Sequence, residues 1–507
     1  MSLKGYHEAS LHPPAAYDAA AAAAATAAAE WDWGEALLDR SAYMVDKKDH
    51  KKNHTSACHR FRRSLHDWEV EVEVEVEMQV SLFMAPPPRV SYFCCSASCT
   101  DDGDDHGEQE GAPRLFVREP WMIATEGDLA LFTLCHGHNR AFYSESSNYD
   151  YFLYQAAASL AGSPELTRLP RPQPDMLPAF GNRCFPTGSI GVVRYRSNIP
   201  EDDDAYRIAA LAYDYFDPSH SGYYLCTYDS KDPRWRRTPA ASPHPPPPDD
   251  FLSSKVIITI RRSGSCSGSG SPRGIMGWVD LWSGMLLCDV LAATDDTLCT
   301  PLPLHYLTLP EPRQLRTELP LATDIGYHFR DIALANDSGI IRFVDLQVHA
   351  EPSPRSQTPS GWTLVTWTLE GLNGGLDALF FRQEHEIHSR DIYGYNLPRA
   401  MLDVQELPQR WRPLPLTNAS SENTNTRMSK VIALDLNQKT LLDVQDFDMQ
   451  RPSPYMATTI SSYLMPAAAV SKEKENMKRR APMSMGSARK KQPAIANPAA
   501  VGGKGSI

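Results

Sequence analysis

The stretch Gly277-Trp-Val-Asp-Leu-Trp-Ser-Gly-Met-Leu-Leu-Cys-Asp-Val290 predicts a β-hairpin. Two β-rich runs, 278–282 and 285–290, flank Ser283-Gly284, and such a pair suits a tight two-residue turn. Pairing across this turn places one set of side chains on one face: Trp278, Asp280, Trp282, Met285 and Leu287. The other face receives Val279, Leu281, Leu286 and Cys288. Both faces are mainly apolar, so we expect the hairpin to lie inside a layered or radially packed β architecture.

The composition is that of a folded protein, with 42% hydrophobic and 22% charged residues in a chain of 507. Forty-one prolines predict many short connections and several disordered inserts. The net charge of −12 argues against a body that binds nucleic acid. The sign reverses from Ser471 onward, where basic residues outnumber acidic ones.

No apolar run approaches the ~20 residues that a membrane-spanning helix needs. The Ala-rich segment Ala19–Ala29 lacks the basic start and bulky apolar centre of a signal peptide. Ten scattered cysteines fit reduced thiols better than a disulfide framework. A cytoplasmic or nuclear protein without a membrane partner is therefore predicted.

Three regions are predicted along the chain: a low-complexity, disordered segment 1–34, a β domain 35–446, and a disordered tail 447–507 with basic clusters. Within the β domain, residues 68–80 alternate valines and glutamates, which indicates a half-buried strand. Further β-rich runs recur between Gly, Asp or Pro turns. These runs are Trp121–Ile123, Leu129–Leu134, Tyr151–Tyr154, Ile190–Tyr195, Ile208–Tyr215, Tyr223–Tyr228, Val256–Ile260, Ile340–Val348, Trp362–Leu369 and Val431–Leu436. Helical periodicity is almost absent, so the predicted class is all-β.

Similar runs at different places in the chain indicate an internal repeat. The run Val279–Val290 resembles Leu434–Val444, about three periods of ~50 residues away. The run Tyr223–Trp235 repeats the order of strand, polar turn and tryptophan. This spacing favours a β-propeller-like fold of the kelch or F-box-associated kind.

The chain resembles a plant family, expanded in grasses, that carries Domain of Unknown Function 1618. The resemblance rests first on the hairpin sequence Gly277–Val290. Further matching runs are Pro301-Leu-Pro-Leu304, Leu309-Pro-Glu-Pro312, Phe329-Arg-Asp-Ile332, Ile341-Arg-Phe-Val-Asp-Leu346, Gly361-Trp-Thr-Leu-Val-Thr-Trp367, Leu37-Leu-Asp-Arg40 and Pro87-Pro-Arg-Val-Ser91. It extends over about residues 37–445, with its core at about 277–400. It implies a propeller-like fold and no established activity. No helical F-box precedes the β region, which argues against a ubiquitin-ligase role.

Two clusters of cysteine and histidine invite a zinc interpretation, because thiolates and imidazoles complete a tetrahedral site. They are Cys94-Cys95 with Cys99, and Cys135-His136 with His138. The spacing matches no familiar zinc motif, so buried structural cysteines are the preferred interpretation. We predict no metal site and no cofactor, and Cys135, His136 and His138 are retained as the metal candidates.

The run Glu384-His-Glu-Ile-His388 lacks the His-Glu-x-x-His spacing of a zinc protease and is interpreted as a solvated loop. Asp280 and Asp289 form a possible carboxylate pair, but turn aspartates that accept backbone N–H bonds are favoured. No nucleophile elbow, phosphate loop or dinucleotide motif is present in the sequence. We therefore predict no catalytic residues.

The tail offers two basic clusters that resemble a bipartite nuclear-localisation signal. Their residues are Lys478, Arg479, Arg480, Arg489, Lys490 and Lys491. A solubilising tail is the equally weighted alternative. The tail from Ser471 contains no aromatic residue, so a nucleic-acid partner is not expected.

The predicted function is that of a non-enzymatic, monomeric scaffold that binds a protein partner through long loops such as 97–113 and 238–250. One alternative is a metal-dependent hydrolase in the central channel of the propeller, using Cys135, His136 and His138. A second alternative is a nuclear, chromatin-associated factor that the basic tail delivers.

Overall fold

The computed structural model describes part of the 507-residue chain. The described residues are 6, 8–14, 36–66, 71–85, 89–99, 116, 118–136, 148–156, 163–177, 185–195, 205–214, 222–248, 251, 253, 255–262, 273–292, 301–312, 329–335, 340–350, 359–371, 376–392, 428–448 and 455–460.

Within these residues the secondary structure consists of 24 β-strands and four short 3-10 helices, without an α-helix. The strands are β1 (Ala36–Asp39), β2 (Tyr43–Met44), β3 (Ala57–His66), β4 (Glu71–Phe83), β5 (Val90–Cys99), β6 (Trp121–Glu126), β7 (Leu129–His136), β8 (Asn148–Gln155), β9 (Glu165–Arg168), β10 (Ile190–Tyr195), β11 (Ala205–Tyr213), β12 (Tyr223–Asp229), β13 (Trp235–Pro239), β14 (Lys255–Arg262), β15 (Arg273–Asp280), β16 (Gly284–Asp289), β17 (His305–Thr308), β18 (Arg330–Ala335), β19 (Ile340–Ala350), β20 (Pro359–Glu370), β21 (Phe380–His388), β22 (Met428–Asp435), β23 (Thr440–Asp448) and β24 (Tyr455–Thr458). The 3-10 helices span Glu8–Ser10, Pro174–Met176, Leu376–Ala378 and Ser389–Asp391. The predicted all-β class is confirmed.

The strands form six sheets in chain order. The second to fifth sheets each contain four consecutive antiparallel strands: β6–β9, β10–β13, β14–β17 and β18–β21. The sixth sheet pairs β22 with β23. The first sheet has the order β24-β1-β5-β4-β3, with β2 beside β5. Because β24 pairs with β1, strand pairing continues past residue 446, where the sequence placed the end of the β region.

Neighbouring sheets share apolar cores, and this explains why their strands are apolar on both faces. The first and second sheets meet at Leu38, Val80, Phe93, Phe132 and Tyr154. The second and third meet at Leu131, Leu153, Ile208 and Cys226. The third and fourth meet at Val193, Leu225, Trp278 and Leu286. The fourth and fifth meet at Val279, Met285, Phe343 and Val365.

Each of these four junctions also carries a hydrogen bond from a side chain to a backbone carbonyl. In chain order they are Tyr154 Oη to Thr55 O (2.8 Å), Trp235 Nε1 to Pro170 O (2.7 Å), Trp278 Nε1 to Ser189 O (2.7 Å) and Arg330 Nη1 to Leu281 O (2.7 Å). Along one side of the body the first strands of the sheets touch, since β10 contacts both β6 and β14, and β14 contacts β18.

The hairpin predicted at 277–290 is present, but its register differs from the prediction. β15 and β16 pair Asp280 with Gly284, so the turn consists of residues 281–283 and not of Ser283-Gly284. Trp278 therefore lies opposite Leu286 and joins the core with the third sheet. Met285 lies on the opposite face, in the core with the fifth sheet. The expectation of two apolar faces is confirmed, whereas the predicted grouping of Trp278 with Met285 and Leu287 is wrong.

Two local causes produce this register. The Asp280 carboxylate accepts hydrogen bonds from Trp282 N (3.0 Å) and Ser283 Oγ (2.7 Å), which centres the turn on residues 281–283. Gly284 is then part of the strand, and a Cβ there would lie 2.5 Å from the Tyr306 ring. This glycine serves close packing against β17, not the turn conformation.

Of the alternating run at 68–80, residues 71–80 lie on β4, between β3 and β5, and residues 68–70 lie outside the described residues. Val76, Met78 and Val80 are buried, and Glu75 is exposed, as the alternation predicts. In the described part of the chain, no helix is long and apolar enough to cross a membrane. Among the cysteines in that part, Cys58 is exposed, whereas Cys94, Cys95, Cys135, Cys226 and Cys288 are buried.

Candidate functional site

The metal candidates near Cys135 are only partly described. Cys135 is buried in β7, His136 is the last residue of that strand, and His138 lies outside the described residues. Across the described ranges, no three His, Cys, Asp or Glu side chains are grouped so that they could hold a metal ion.

Cys94 and Cys95 lie on opposite faces of β5. Cys94 packs beside Tyr43 and Tyr92, whereas Cys95 belongs to the core between the first and second sheets. Burial, with a smaller contribution from Cys94, raises the pKa of the Cys95 thiol well above its usual range.

The run Glu384-His-Glu-Ile-His388 forms most of β21, so its interpretation as a loop is wrong. It is the last strand of the fifth sheet, and an edge strand tolerates charged side chains. The Thr363 hydroxyl lies 2.8 Å from His388 Nδ1 and 2.7 Å from His349 Nε2, so two imidazoles share it. A strand separates alternate side chains across its two faces, which excludes the helical arrangement of a zinc protease.

The aspartates of the hairpin are turn residues, as the sequence favoured. Asp289 Oδ1 accepts hydrogen bonds from Gly274 N (3.1 Å) and Leu291 N (3.2 Å). Asp435 repeats the role of Asp280 in the sixth sheet, where it accepts from Asn437 N (2.9 Å) and from the amide of the following residue. The similarity between the sequences at 279–290 and 434–444 therefore reflects a turn in which an aspartate accepts hydrogen bonds from the residues that follow it.

Arg330, at the start of β18, was not identified by the sequence analysis. Its side chain is fully buried, and Nη1 donates to Leu281 O (2.7 Å) and Trp282 O (3.3 Å). Its Nη2 donates to Pro310 O. Burial lowers the pKa of Arg330 to about 10, although Asp345 and Asp280 oppose the shift. The guanidinium binds the carbonyls of the fourth sheet's turns to the fifth sheet and has a structural role.

A second buried polar group also escaped prediction. His50 Nε2 and Ser81 Oγ share a hydrogen bond of 2.7 Å, and Ser56 Oγ lies 2.6 Å from the same hydroxyl. Burial, followed by the charge of Lys52, lowers the pKa of His50 to about 4. The pair has the residue types of a nucleophile and its base, but Ser81 is fully buried and closed to a substrate. It holds the segment before β3 against β4.

The connection between β13 and β14 presents an exposed surface. It contains Ala241-Ser-Pro-His-Pro-Pro-Pro-Pro248. Its start is bound to the segment just before β17, since Ala241 N donates to Leu302 O (2.7 Å) and Leu302 N donates to Pro239 O (2.9 Å). His244 forms a parallel bridge with His305, and the His244–Pro245 peptide bond is cis.

The end of this connection is bound as well. Phe251 N donates to Pro248 O (3.0 Å), and the Phe251 ring packs edge-on against Tyr306 at 6.0 Å. Ser253 Oγ donates to Gly188 O in the third sheet region. Between the two anchors, Pro245, Pro246 and Pro248 are exposed, and Pro247 is half-buried. Of the predicted loop 238–250, residues 249 and 250 lie outside the described residues, and Pro245–Pro248 is a mainly exposed run between these contacts.

Two other predicted features lie outside the described residues. The loop 97–113 is described only up to Cys99 and is otherwise outside them. The nuclear-targeting candidates Lys478, Arg479, Arg480, Arg489, Lys490 and Lys491 are also outside.

Comparison with known protein families finds a match for part of the chain. Residues 278–432 match the family model described as "Protein of unknown function (DUF1618)". The matched region begins inside β15, contains the fifth sheet and ends inside β22. A search of curated proteins found no match. The chain therefore carries a DUF1618 domain over residues 278–432, and the function of that family is unknown.

Proposed function

We propose that this protein is a non-enzymatic scaffold that binds protein partners on the loops of a β-propeller-like body. The propeller is supported by four successive sheets with the same strand order. Contacts among β6, β10, β14 and β18 support a common axis. Pairing of β24 with β1 brings together the two ends of the β region, which is how a radial fold closes.

The use of buried polar groups supports a structural body. Arg330 and Trp278 each bind a backbone carbonyl of the neighbouring sheet, and Asp280 and Asp289 bind their own turns. These hydrogen bonds satisfy the polar groups within their own turns and sheet junctions. We therefore assign these polar groups a role in the stability of the body.

The observation that carries the proposal is the loop Ala241–Pro248. It is fixed at both ends to a body of packed sheets, and its centre is exposed. Binding residues commonly lie on loops that a rigid framework positions. A prepositioned loop loses little conformational entropy when a partner binds.

Affinity purification of the tagged full-length chain from cells tests the scaffold role. We expect a reproducible set of partners above a tag-only control. A Leu286→Asp chain is the matched control, since Leu286 is fully buried between the third and fourth sheets and a charge there disrupts the body. The proposal is refuted if the wild-type chain captures no partner, or if the Leu286→Asp chain captures the same set.

We propose that the scaffold is monomeric and that the basic clusters at 478–480 and 489–491 direct it to the nucleus. The support is the spacing of these cations in the sequence. Sedimentation of the purified chain tests the first statement, and a dimer would contradict it. A reporter fused to residues 471–507 tests the second, and a diffuse reporter would contradict it.

A further inference from the structure

We infer that the run Pro245–Pro248 is a ready-made ligand for a domain with an aromatic-lined groove that binds polyproline II helices. This inference rests on the proposed scaffold function and names the class of partner. It follows from the backbone chemistry of the run, its anchoring, and the side on which it is exposed.

The sequence of the run fixes its conformation. The proline ring holds φ near −65°, and a residue that precedes proline is restricted to extended or polyproline II values of ψ. Pro245, Pro246 and Pro247 each precede another proline, so both of their dihedral angles are constrained. Such a run has no N–H group to offer to a sheet. Its last carbonyl, Pro248 O, accepts a hydrogen bond from Phe251 N (3.0 Å).

The two anchors keep the run on the surface. On the entry side, Ala241 and His244 are bound to the segment before and within β17. On the exit side, Phe251 bonds to Pro248 and packs on Tyr306. From Pro245 to Pro248 the run is about 9 Å long. The contacts on its two sides hold it at the surface, where a partner can reach it.

The pattern of exposure fits recognition from one side. A polyproline II helix has three residues per turn, so Pro245 and Pro248 lie on the same edge. Both are exposed, together with Pro246, whereas the half-buried Pro247 faces the body. Grooves in SH3, WW and EVH1 domains receive this kind of ridge between aromatic side chains. A fixed run binds such a groove at a lower entropic cost than a free peptide.

Titration calorimetry of the purified full-length chain against one SH3, one WW and one EVH1 domain tests the inference. We expect at least one of the three domains to bind. A Pro245→Ala/Pro248→Ala chain should bind that domain at least about tenfold more weakly, because both ridge positions are truncated. A Pro174→Ala/Pro233→Ala chain is the matched control, since both prolines are exposed but lie outside the run, and its affinity should be unchanged.

The inference is overturned if none of the three domains binds, or if the run variant binds as tightly as the wild-type chain. Thermal unfolding of each variant establishes that it is folded, and a Pro246→Ala chain replaces the double variant if that chain unfolds. If the inference fails while the wild-type chain still captures partners that the Leu286→Asp chain loses, the scaffold function stands. If no cellular partner is captured, the scaffold function itself fails.

Discussion

Replacing Arg330 by methionine should lower the free energy of unfolding by about 3–5 kcal/mol. Methionine keeps much of the side-chain volume but removes the guanidinium that binds the fourth sheet to the fifth. The side chain is fully buried, so water cannot take over its contacts without opening the junction. The perturbation therefore tests whether the sheets form one body.

The magnitude follows from the groups that the substitution leaves behind. Arg330 donates to the carbonyls of Leu281, Trp282 and Pro310, and each buried carbonyl that loses its donor costs about 1–3 kcal/mol. The guanidinium also lies over the Phe343 ring at 4.7 Å, a contact that methionine only partly replaces. The cost of burying the cation makes the net loss smaller than the sum of the three bonds.

Urea unfolding at neutral pH, followed by tryptophan fluorescence, measures the effect. Arg342→Met is the matched control in the same sheet, because the Arg342 side chain is 43% exposed and its Nε lies 3.5 Å from Glu384. An exposed pair of this kind contributes about 0–1 kcal/mol. Equal losses in the two variants would refute the structural role that we assign to Arg330.

Three further predictions concern other parts of the body. Lowering the pH from about 6.5 to 4 should destabilise the chain, because unfolded His50 takes up a proton at its ordinary pKa of 6.5 while folded His50, with a pKa of about 4, does not. Titration of stability with pH should show a shallower slope for His50→Gln, and an unchanged slope would contradict this origin. Alkylation of the native chain followed by mass spectrometry should label exposed Cys58 before the described buried thiols, and early labelling of the buried ones would disprove the packing. Gly284→Ala should cost about 2–3 kcal/mol in thermal unfolding, since its Cβ would meet the Tyr306 ring, whereas Gly361→Ala meets only a serine hydroxyl at 3.0 Å. Similar losses for the two glycine variants would count against the tight approach at β17.

The hairpin at 277–290 shows what sequence patterns can and cannot supply. Its two strands and its two apolar faces follow from composition and β propensity. Its register does not, because Ser283-Gly284 is an acceptable turn by local rules. The choice was made by the Asp280 carboxylate and by the close approach of Tyr306 to Gly284, and Tyr306 is distant in sequence.

Outer strands were the harder elements to predict. β13 and β21 carry mainly polar or charged residues, and the sequence analysis interpreted the second as a loop. An edge strand is paired on one side only and keeps much of its surface in water, so it needs no alternating apolar pattern. Their pairing with β12 and β20 is a property of the assembled sheets.

The sites divide in the same way. The turn roles of Asp280 and Asp289 were predicted, since aspartate at a strand end has a local reason to accept N–H bonds. Arg330 and the pair of His50 and Ser81 were missed, because their partners are far away in the chain. No local pattern marks a side chain whose hydrogen bonds are made across a junction.

By itself, the sequence determined the all-β class, the central strands, the turn aspartates and the proline run, because alternation, turn chemistry and proline geometry act over a few neighbouring residues. The tertiary structure alone decided the register of the hairpin and the partners of Arg330. It also decided that the proline run is held at both ends with Pro245 and Pro248 outward. These outcomes depend on which sheets pack together, and packing brings residues into contact that the chain separates.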